Sequence, residues 1–296
     1  MTTEQNTPTE AAAPAPVSPA PQKPAKPVKK EDSFPVFLIK LVLIVLVFRS
    51  FIMAPFNIPS ESMLPRLLIG DYLLASKWSY GYSKHSLPFS APLIPGRVLA
   101  SQPERGDVAI FKKPPFADVD FIKRVIGLPG DQIQMRGGVL HLNGQAVPKV
   151  KVADFVIPVT QNMIDAAKPD NRSPCVALEF QQVAPDGKAF CRYPQFRETL
   201  PNGVSYNVLD FGERPDADDT AVYVVPAGHV FMMGDNRDNS LDSRFSTDVG
   251  GVSFVPQENL VGKAQVMMFS TDGAAEWLKP WTWFSATRWG RIGGRI

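Results

Sequence analysis

DFIKRVIGLPGDQI, residues 120–133, alternates its side chains with the two-residue period of a β-strand. Phe121, Lys123 and Val125 fall on one face, Ile122, Arg124 and Ile126 on the other, before a Pro-Gly break. Four further runs share this β-rich alternation: GDVAIFK (106–112), GVLHLNGQAV (138–147), AVYVVPAGHVFMMGD (221–235) and NLVGKAQVMMF (259–269). Asn143-Gly144 predicts a hairpin turn. Helical periodicity is scarce beyond residue 54. The expected fold is therefore mainly β, an antiparallel sheet or barrel-like domain.

Ahead of that domain, FPVFLIKLVLIVLVFRSFIM (34–53) supplies about the 20 apolar residues that a bilayer-spanning helix needs. Lys40 and Arg49 each lie within about two turns of an end, close enough to snorkel to headgroups. The exit reads FIMAPF, with Pro55 directly after Ala54, so no small-x-small cleavage site follows and an uncleaved anchor over 34–54 is expected. Residues 1–33, rich in Pro, Ala and Lys, predict a disordered tail. Lys23, Lys26, Lys29 and Lys30 place that tail in the cytoplasm and the chain from about Asn57 outside, although Arg49 and Arg66 dilute the asymmetry.

The expected β core covers 55–150 and 221–270, interrupted by a loop-rich insert at 151–220 that holds both cysteines. Cys175 and Cys191 could form a disulfide in an exported domain or remain two unrelated thiols. The C-terminal segment, 271–296, contains EWLKPWTWFSATRWGRIGGRI, with four of the five tryptophans among basic residues. That mixture suits a membrane interface, and SLPFSAPLIPG (86–96) could also dip into lipid; ordinary packing on the sheet is the alternative for both.

Charge excludes one class of function. With 31 basic and 29 acidic residues, net +2, nothing draws the chain to nucleic acid, and no basic patch stands outside the two ends. Its three histidines are far apart in sequence, and NRDNSLDSRFST (236–247) lacks the central Gly and terminal Glu of a calcium loop, so no metal and no cofactor is expected. None of the histidines lies beside a Gly-x-Ser-x-Gly elbow. A lysine can replace histidine as a base if burial lowers its pKa. Lys123, on an apolar strand face, is so placed; taken alone, it could equally snorkel to water.

PSESMLPRLLIGD (59–71), RGDVAIFK (105–112), FIKRVIGLPGD (121–131) and FMMGDNRDNSLDSR (231–244), in this order behind an anchor, resemble bacterial type I signal peptidase, the serine-lysine protease family that trims exported proteins. Taken singly, SES reads as a polar turn and GDNRDNSLDSR as a solvated loop; the order of all four carries the resemblance. It implies Ser62 as nucleophile and Lys123 as general base. Ser60 and the Ser62 N–H would be oxyanion donors, and Ser240 would orient the lysine. Arg124 with Asp235 would form a structural ion pair, while Asp242 and Arg244 would support the site. Glu61 stands where the family often has glycine and is expected to point away.

The resemblance further implies preprotein signal peptides as substrates, cut after small residues. Met63, Phe56 and Ile58 are the expected pocket lining, and the substrate would add as an edge strand. The implied location is the bacterial inner membrane, with a single pass through the lipid bilayer and the catalytic domain on its outer face; the oligomeric state is left open. A non-catalytic anchored module that binds exported chains is the alternative, but it would need none of Ser60, Ser62, Lys123 and Ser240. The related self-cleaving repressors are disfavoured by the anchor and the lack of a DNA-binding helix pair.

Overall fold

The computed structural model describes residues 32–276 and 278–296. The tail expected over 1–33 thus lies outside the described residues apart from its last two positions, as does Trp277. The chain forms two compact units, Met1–Leu41 and Val42–Ile296. In the first, Lys40 Nζ donates to Asp32 Oδ2 at 2.5 Å.

Helix α1, Phe34–Val47, buries none of its residues and continues as a π-helical turn, Phe48–Ile52. Together, Phe34–Ile52 has a mean hydropathy of 2.4 and is long and apolar enough to cross a membrane. A helix that is apolar all round and buries none of its side chains is stable in lipid rather than water.

The second unit is built on one antiparallel sheet of seven strands. These are β1 (Met53–Asn57), β2 (Asp71–Ser76), β3 (Val108–Lys112), β4 (Asp120–Gly127), β5 (His229–Met233), β6 (Val255–Pro256) and β7 (Leu260–Ser270). Their order across the sheet is β1-β2-β7-β3-β4-β5-β6. Register shifts within β7, against both β2 and β3, and within β5 against β4 bend the strands. Extra residues on one strand raise the local twist, which curls the sheet into a half-barrel. One apolar cluster gathers Met63, Leu67, Leu73, Val108, Ile110 and Val261; another gathers Phe111, Val125, Met232 and Val255.

A four-stranded sheet, Tyr223–Val224, Gln132–Arg136, Val139–Leu142 and Gln145–Ala146, adjoins it. Asn143 and Gly144 make its tight turn, both at positive φ, as Asn-Gly favours. Ile133, Leu140 and Leu142 of this sheet share a core with Ile126, Phe231 and Met233.

Residues 151–220 hold more regular structure than their pattern suggests. They contain Phe155–Pro158, Gln181–Val183, Ala189–Tyr193, Gln195–Thr199 and Ser205–Leu209, all strands, and helix Gln161–Ala167. Cys175 and Cys191 are bridged, with Cα atoms 5.4 Å apart. The bridge is buried with Tyr193, Leu209 and Met163 against Leu64, Leu68 and Ile69 of the loop joining β1 to β2. Hydrophobic contact with another part of the chain, absent from any local pattern, gives these short strands their stability.

The C-terminal segment folds as helix Pro280–Ala286 and leaves Leu278, Trp281, Phe284 and Trp289 exposed. Arg291 fixes the end of the chain to the sheet by donating to Asp71 Oδ1 at 3.0 Å and Oδ2 at 2.6 Å.

Candidate active site

The loop between β1 and β2 carries Ser60 and Ser62. Its ends are closed by Ile58 N–H to Asp71 O, 2.8 Å, and Gly70 N–H to Ile58 O, 3.0 Å. Inside it, Leu64 N–H donates to Glu61 O and Leu67 N–H to Met63 O, at 3.0 and 2.9 Å. The buried side chains of Met63, Leu64 and Leu67 hold the turn down. From the GDNRDNS segment, Asn236 donates its N–H to Ser62 O at 3.1 Å and its Nδ2 to Glu61 O at 3.2 Å. The hydroxyl of Ser62 is thereby fixed toward β4.

On β4, Lys123 is paired in register with Ala109. Lys123 is 3% exposed, and its Nζ donates to Ser62 Oγ at 2.5 Å. Ser60 Oγ lies 3.4 Å from Ser62 Oγ, and the Phe121 ring centroid 5.6 Å from the amine. No carboxylate forms an ion pair with Lys123 among the described residues. Burial lowers its pKa from 10.5 to about 8; Asp242 and Asp235 pull it part of the way back, while Arg244 pushes it down further. The N–H of Ser62 donates to no group among the described residues. A hydroxyl against an amine ready to take its proton, with a free N–H alongside, is an arrangement suited to acyl transfer.

Ser240 is buried, but its hydroxyl has no hydrogen-bond partner among the described residues, so the expected bond to Lys123 is not made here. It is nevertheless near Ser62. A Cβ on Gly234 would lie 2.3 Å from Ser240 Oγ and 2.5 Å from Ser62 O, so only glycine lets the two segments approach this closely.

An ion pair joins Arg124 to Asp235, and Asp242 and Arg244, expected only as charged residues supporting the site, form another. Arg124 grips Asp235 with two bonds, Nε to Oδ1 at 2.7 Å and a terminal nitrogen to Oδ2 at 2.6 Å. Arg244 holds Asp242 at 2.9 and 3.0 Å, and Asp242 Oδ2 accepts the Gly234 N–H at 3.0 Å. Burial works against the Asp242 carboxylate, but Arg244, the Gly234 N–H and Lys123 together hold its pKa below the ordinary value. A third pair has no sequence signal at its acidic end: Arg237 donates to both oxygens of Glu198, each at 2.6 Å, and Tyr206 O–H adds a bond of 3.0 Å. Glu198 lies in the 151–220 segment, so this pair fastens that segment to the GDNRDNS motif.

An apolar cavity of about 220 Å³ opens beside Ser62 and Lys123. Phe56 and Ile58 line it, but Met63 does not: it is 0% exposed and packed with Leu67 and Leu73. The turn after Ser62 sends the Met63 side chain inward, where burial of its apolar surface holds the loop. Ile110 and Ile122, directly opposite one another on β3 and β4, also line the cavity. The alternation of both strands carried that signal. Glu61 points away from Ser62 as expected but not into water: it is 8% exposed, with Oε2 accepting from Asn239 Nδ2 at 3.2 Å.

Comparison with known proteins agrees with this geometry. A family model described as signal peptidase, peptidase S26, matches residues 32–269. Signal peptidase I of Rickettsia typhi is 37% identical over 232 residues, which cover 78% of this chain and 77% of that protein. Signal peptidase I of Rickettsia prowazekii is 38% identical over 234 residues, with coverages of 78% and 77%. A crystal structure of a signal peptidase I from Enterococcus faecalis aligns over 55% of this chain and 97% of that one, at 24% identity and a TM-score of 0.26, and adds no weight. Since the family match runs through the serine loop, the lysine strand and the GDNRDNS motif alike, the chain belongs to the type I signal peptidases and is a peptide hydrolase.

Proposed function

We propose that the protein is a membrane-anchored serine endopeptidase that cuts signal peptides from exported preproteins after small residues, with Ser62 as nucleophile and Lys123 as general base. The observation that carries this reading is the 2.5 Å contact between Ser62 Oγ and the buried Lys123 Nζ, which has no ion-pair partner among the described residues. An ordinary lysine is almost wholly protonated at neutral pH and cannot serve as a base; one lowered to about 8 has an appreciable neutral fraction.

The neutral amine takes the Ser62 proton as Oγ bonds to the scissile carbonyl carbon. The oxyanion that forms is met by the Ser62 N–H and the Ser60 hydroxyl, each worth about 3 kcal/mol by analogy with other oxyanion donors. The Lys123 ammonium then protonates the departing amine, leaving an ester on Ser62. Water attacks that ester as Lys123 takes its proton, and the new carboxyl end leaves as Ser62 recovers its hydrogen. Ser240 contributes a hydroxyl beside the Ser62 loop that has no partner among the described residues, open to the amine once the lysine shifts from Ser62 Oγ. Arg124–Asp235 and Arg244–Asp242 hold the β4 and β5 ends of the site.

The cavity lined by Phe56, Ile58, Ile110 and Ile122 is smaller than a drug-sized ligand site, which suits short apolar side chains before the cut. Phe34–Ile52 would cross the inner membrane with the tail in the cytoplasm and the catalytic domain on the outer face. The exposed aromatics of 278–289 would meet the same lipid surface.

Cleavage of a preprotein by the full chain in detergent micelles tests the assignment. The intact protein should cut after a small residue, while Ser62→Ala and Lys123→Ala should not, with both variants folded. Equal cutting by either variant would remove that residue from its role.

A further inference from the structure

A second cavity, of about 360 Å³, lies beside the last turn of the apolar helix and holds a buried cation that the cleavage chemistry does not use. Lys77 lines it and is 4% exposed. Among the described residues its Nζ has one hydrogen bond, to His85 O at 3.5 Å, the far limit for such a contact. His85 lines the same cavity, with Nδ1 against Ser90 Oγ at 2.9 Å and Nε2 buried without a partner among the described residues. Arg49 and Lys112 also face the space. The one carboxylate in its wall among the described residues, Asp120, is taken by Lys112 at 3.0 Å. Among the described residues, Lys77 and Arg49 therefore have no acid of their own. A buried ammonium without a counterion is costly, and burial pushes Lys77 from 10.5 to about 8, with Lys112, Arg49 and Arg97 adding to that effect and Asp120 opposing it.

The surroundings say what kind of anion fits. Lys77 N–H donates to Ile52 O and Tyr82 O–H to Phe51 O, both at 2.9 Å, so the cavity is fastened to the end of the helix read above as the anchor. The loop over it carries Phe89, 104% exposed, and Leu93 is also exposed. Apolar tips beside a buried lysine and an exposed arginine, at the depth where a chain leaves the bilayer, match a phosphate with acyl chains attached better than a free ion.

We infer that this cavity binds the phosphodiester of an anionic phospholipid headgroup, with Lys77 and Arg49 as its charge partners and Phe89 among the acyl chains. The inference rests on the anchored reading given above. Phe56 and Asp120 line both this cavity and the one beside Ser62, so a bound headgroup abuts the cleavage groove and sets its height at the lipid surface.

The test is calorimetric titration of the full chain in neutral detergent micelles with dihexanoyl phosphatidylglycerol, dihexanoyl phosphatidylcholine and inorganic phosphate. Phosphatidylglycerol should bind about tenfold more tightly than phosphatidylcholine, and inorganic phosphate more weakly than either. Lys77→Met should abolish the preference, Lys77→Arg keep it, and Arg49→Gln reduce it, with thermal melts confirming that each variant is folded. Equal affinity for the two lipids, or an unchanged preference in both Lys77→Met and Arg49→Gln, overturns the site. Phosphate binding as tightly as phosphatidylglycerol overturns the lipid as its source, and competition by an acidic peptide alone assigns the cavity to substrate instead. Flotation of the full chain on phosphatidylcholine vesicles is scored separately. A chain that floats without a phosphatidylglycerol preference disproves only the cavity, whereas one that fails to float disproves the anchor.

Discussion

Lys123 and Arg124 are neighbours on one strand, carry the same formal charge and are both buried, yet they meet opposite surroundings. Arg124 is gripped by Asp235 through two hydrogen bonds and donates a third to Gly106 O at 2.7 Å, and its guanidinium lies 4.2 Å from the Tyr206 ring centroid. Lys123 has a serine hydroxyl and a phenyl ring. Alternation along β4 sends one side chain toward acids and the other toward Ser62. The contrast separates two uses of buried charge. A fully paired cation is a fixed strut, and a guanidinium, which does not lose its proton, is the right group for it. An unpaired one is destabilised in its charged form, which is the condition a lysine base requires.

Exchanging these conditions should break the site in different ways. The largest effect is expected from Lys123→Met, which should lower kcat/KM by on the order of 10⁴-fold while leaving the melting temperature unchanged or raised, because an apolar chain replaces a lone buried amine. Preprotein cleavage and calorimetry on one sample check both halves. Next is Arg124→Met, which strands Asp235 and should destabilise the fold by about 3–5 kcal/mol in urea unfolding. Adding Asp235→Leu should recover most of that loss. A variant pair in which Lys123→Met unfolds the protein and Arg124→Met does not would invert the comparison.

The strand that holds both residues was legible in the sequence, because alternation is local and each face of β4 is sorted by it. So were β3, β5, β7 and the Asn143-Gly144 turn. By contrast, β2 was not read as a strand and β1 only as strand residues near Phe56 and Ile58: the two flank a Pro-rich loop, and their pairing, Met53 with Ser76 through Asn57 with Tyr72, becomes visible only when the loop closes. Ser62, Lys123, Arg124, Asp235, Asp242 and Arg244 stood out by motif. The partner of Arg237 did not, since Glu198 sits in an unremarked FRETL and reaches the site only because a hairpin of the 151–220 segment packs there. Met63 was misplaced for a related reason: sequence proximity to Ser62 does not tell which way a turn sends a side chain.

Glu61 extends the comparison to a buried acid one residue from the nucleophile. Burial raises its pKa from 4.5 to about 7, with Arg172 and the Asn239 hydrogen bond opposing. Its charged form is disfavoured in the fold, so the cost is fully present above pH 7 and absent below about 4.5. Glu61→Gln should therefore stabilise the protein at pH 8 by up to about 3 kcal/mol, with the difference disappearing toward pH 4. Chemical denaturation at the two pH values decides it. A gain that is equal at both would show that packing rather than ionisation sets the cost.

The smallest effect sharpens the comparison most directly, because it reads Lys123 in the intact protein. If the neutral amine is the active form, kcat/KM should rise about tenfold per pH unit below 8 and flatten above it, following the free enzyme. Arg124 cannot generate such a limb, since its charge persists throughout, and Glu61 titrates lower, near 7. Glu61→Gln separates the two acidic-side contributions: the limb near 8 should survive that substitution, while any inflection near 7 should vanish. A limb that moved to an ordinary lysine value near 10.5 would mean that water reaches the amine in solution and that burial on β4 does not tune it.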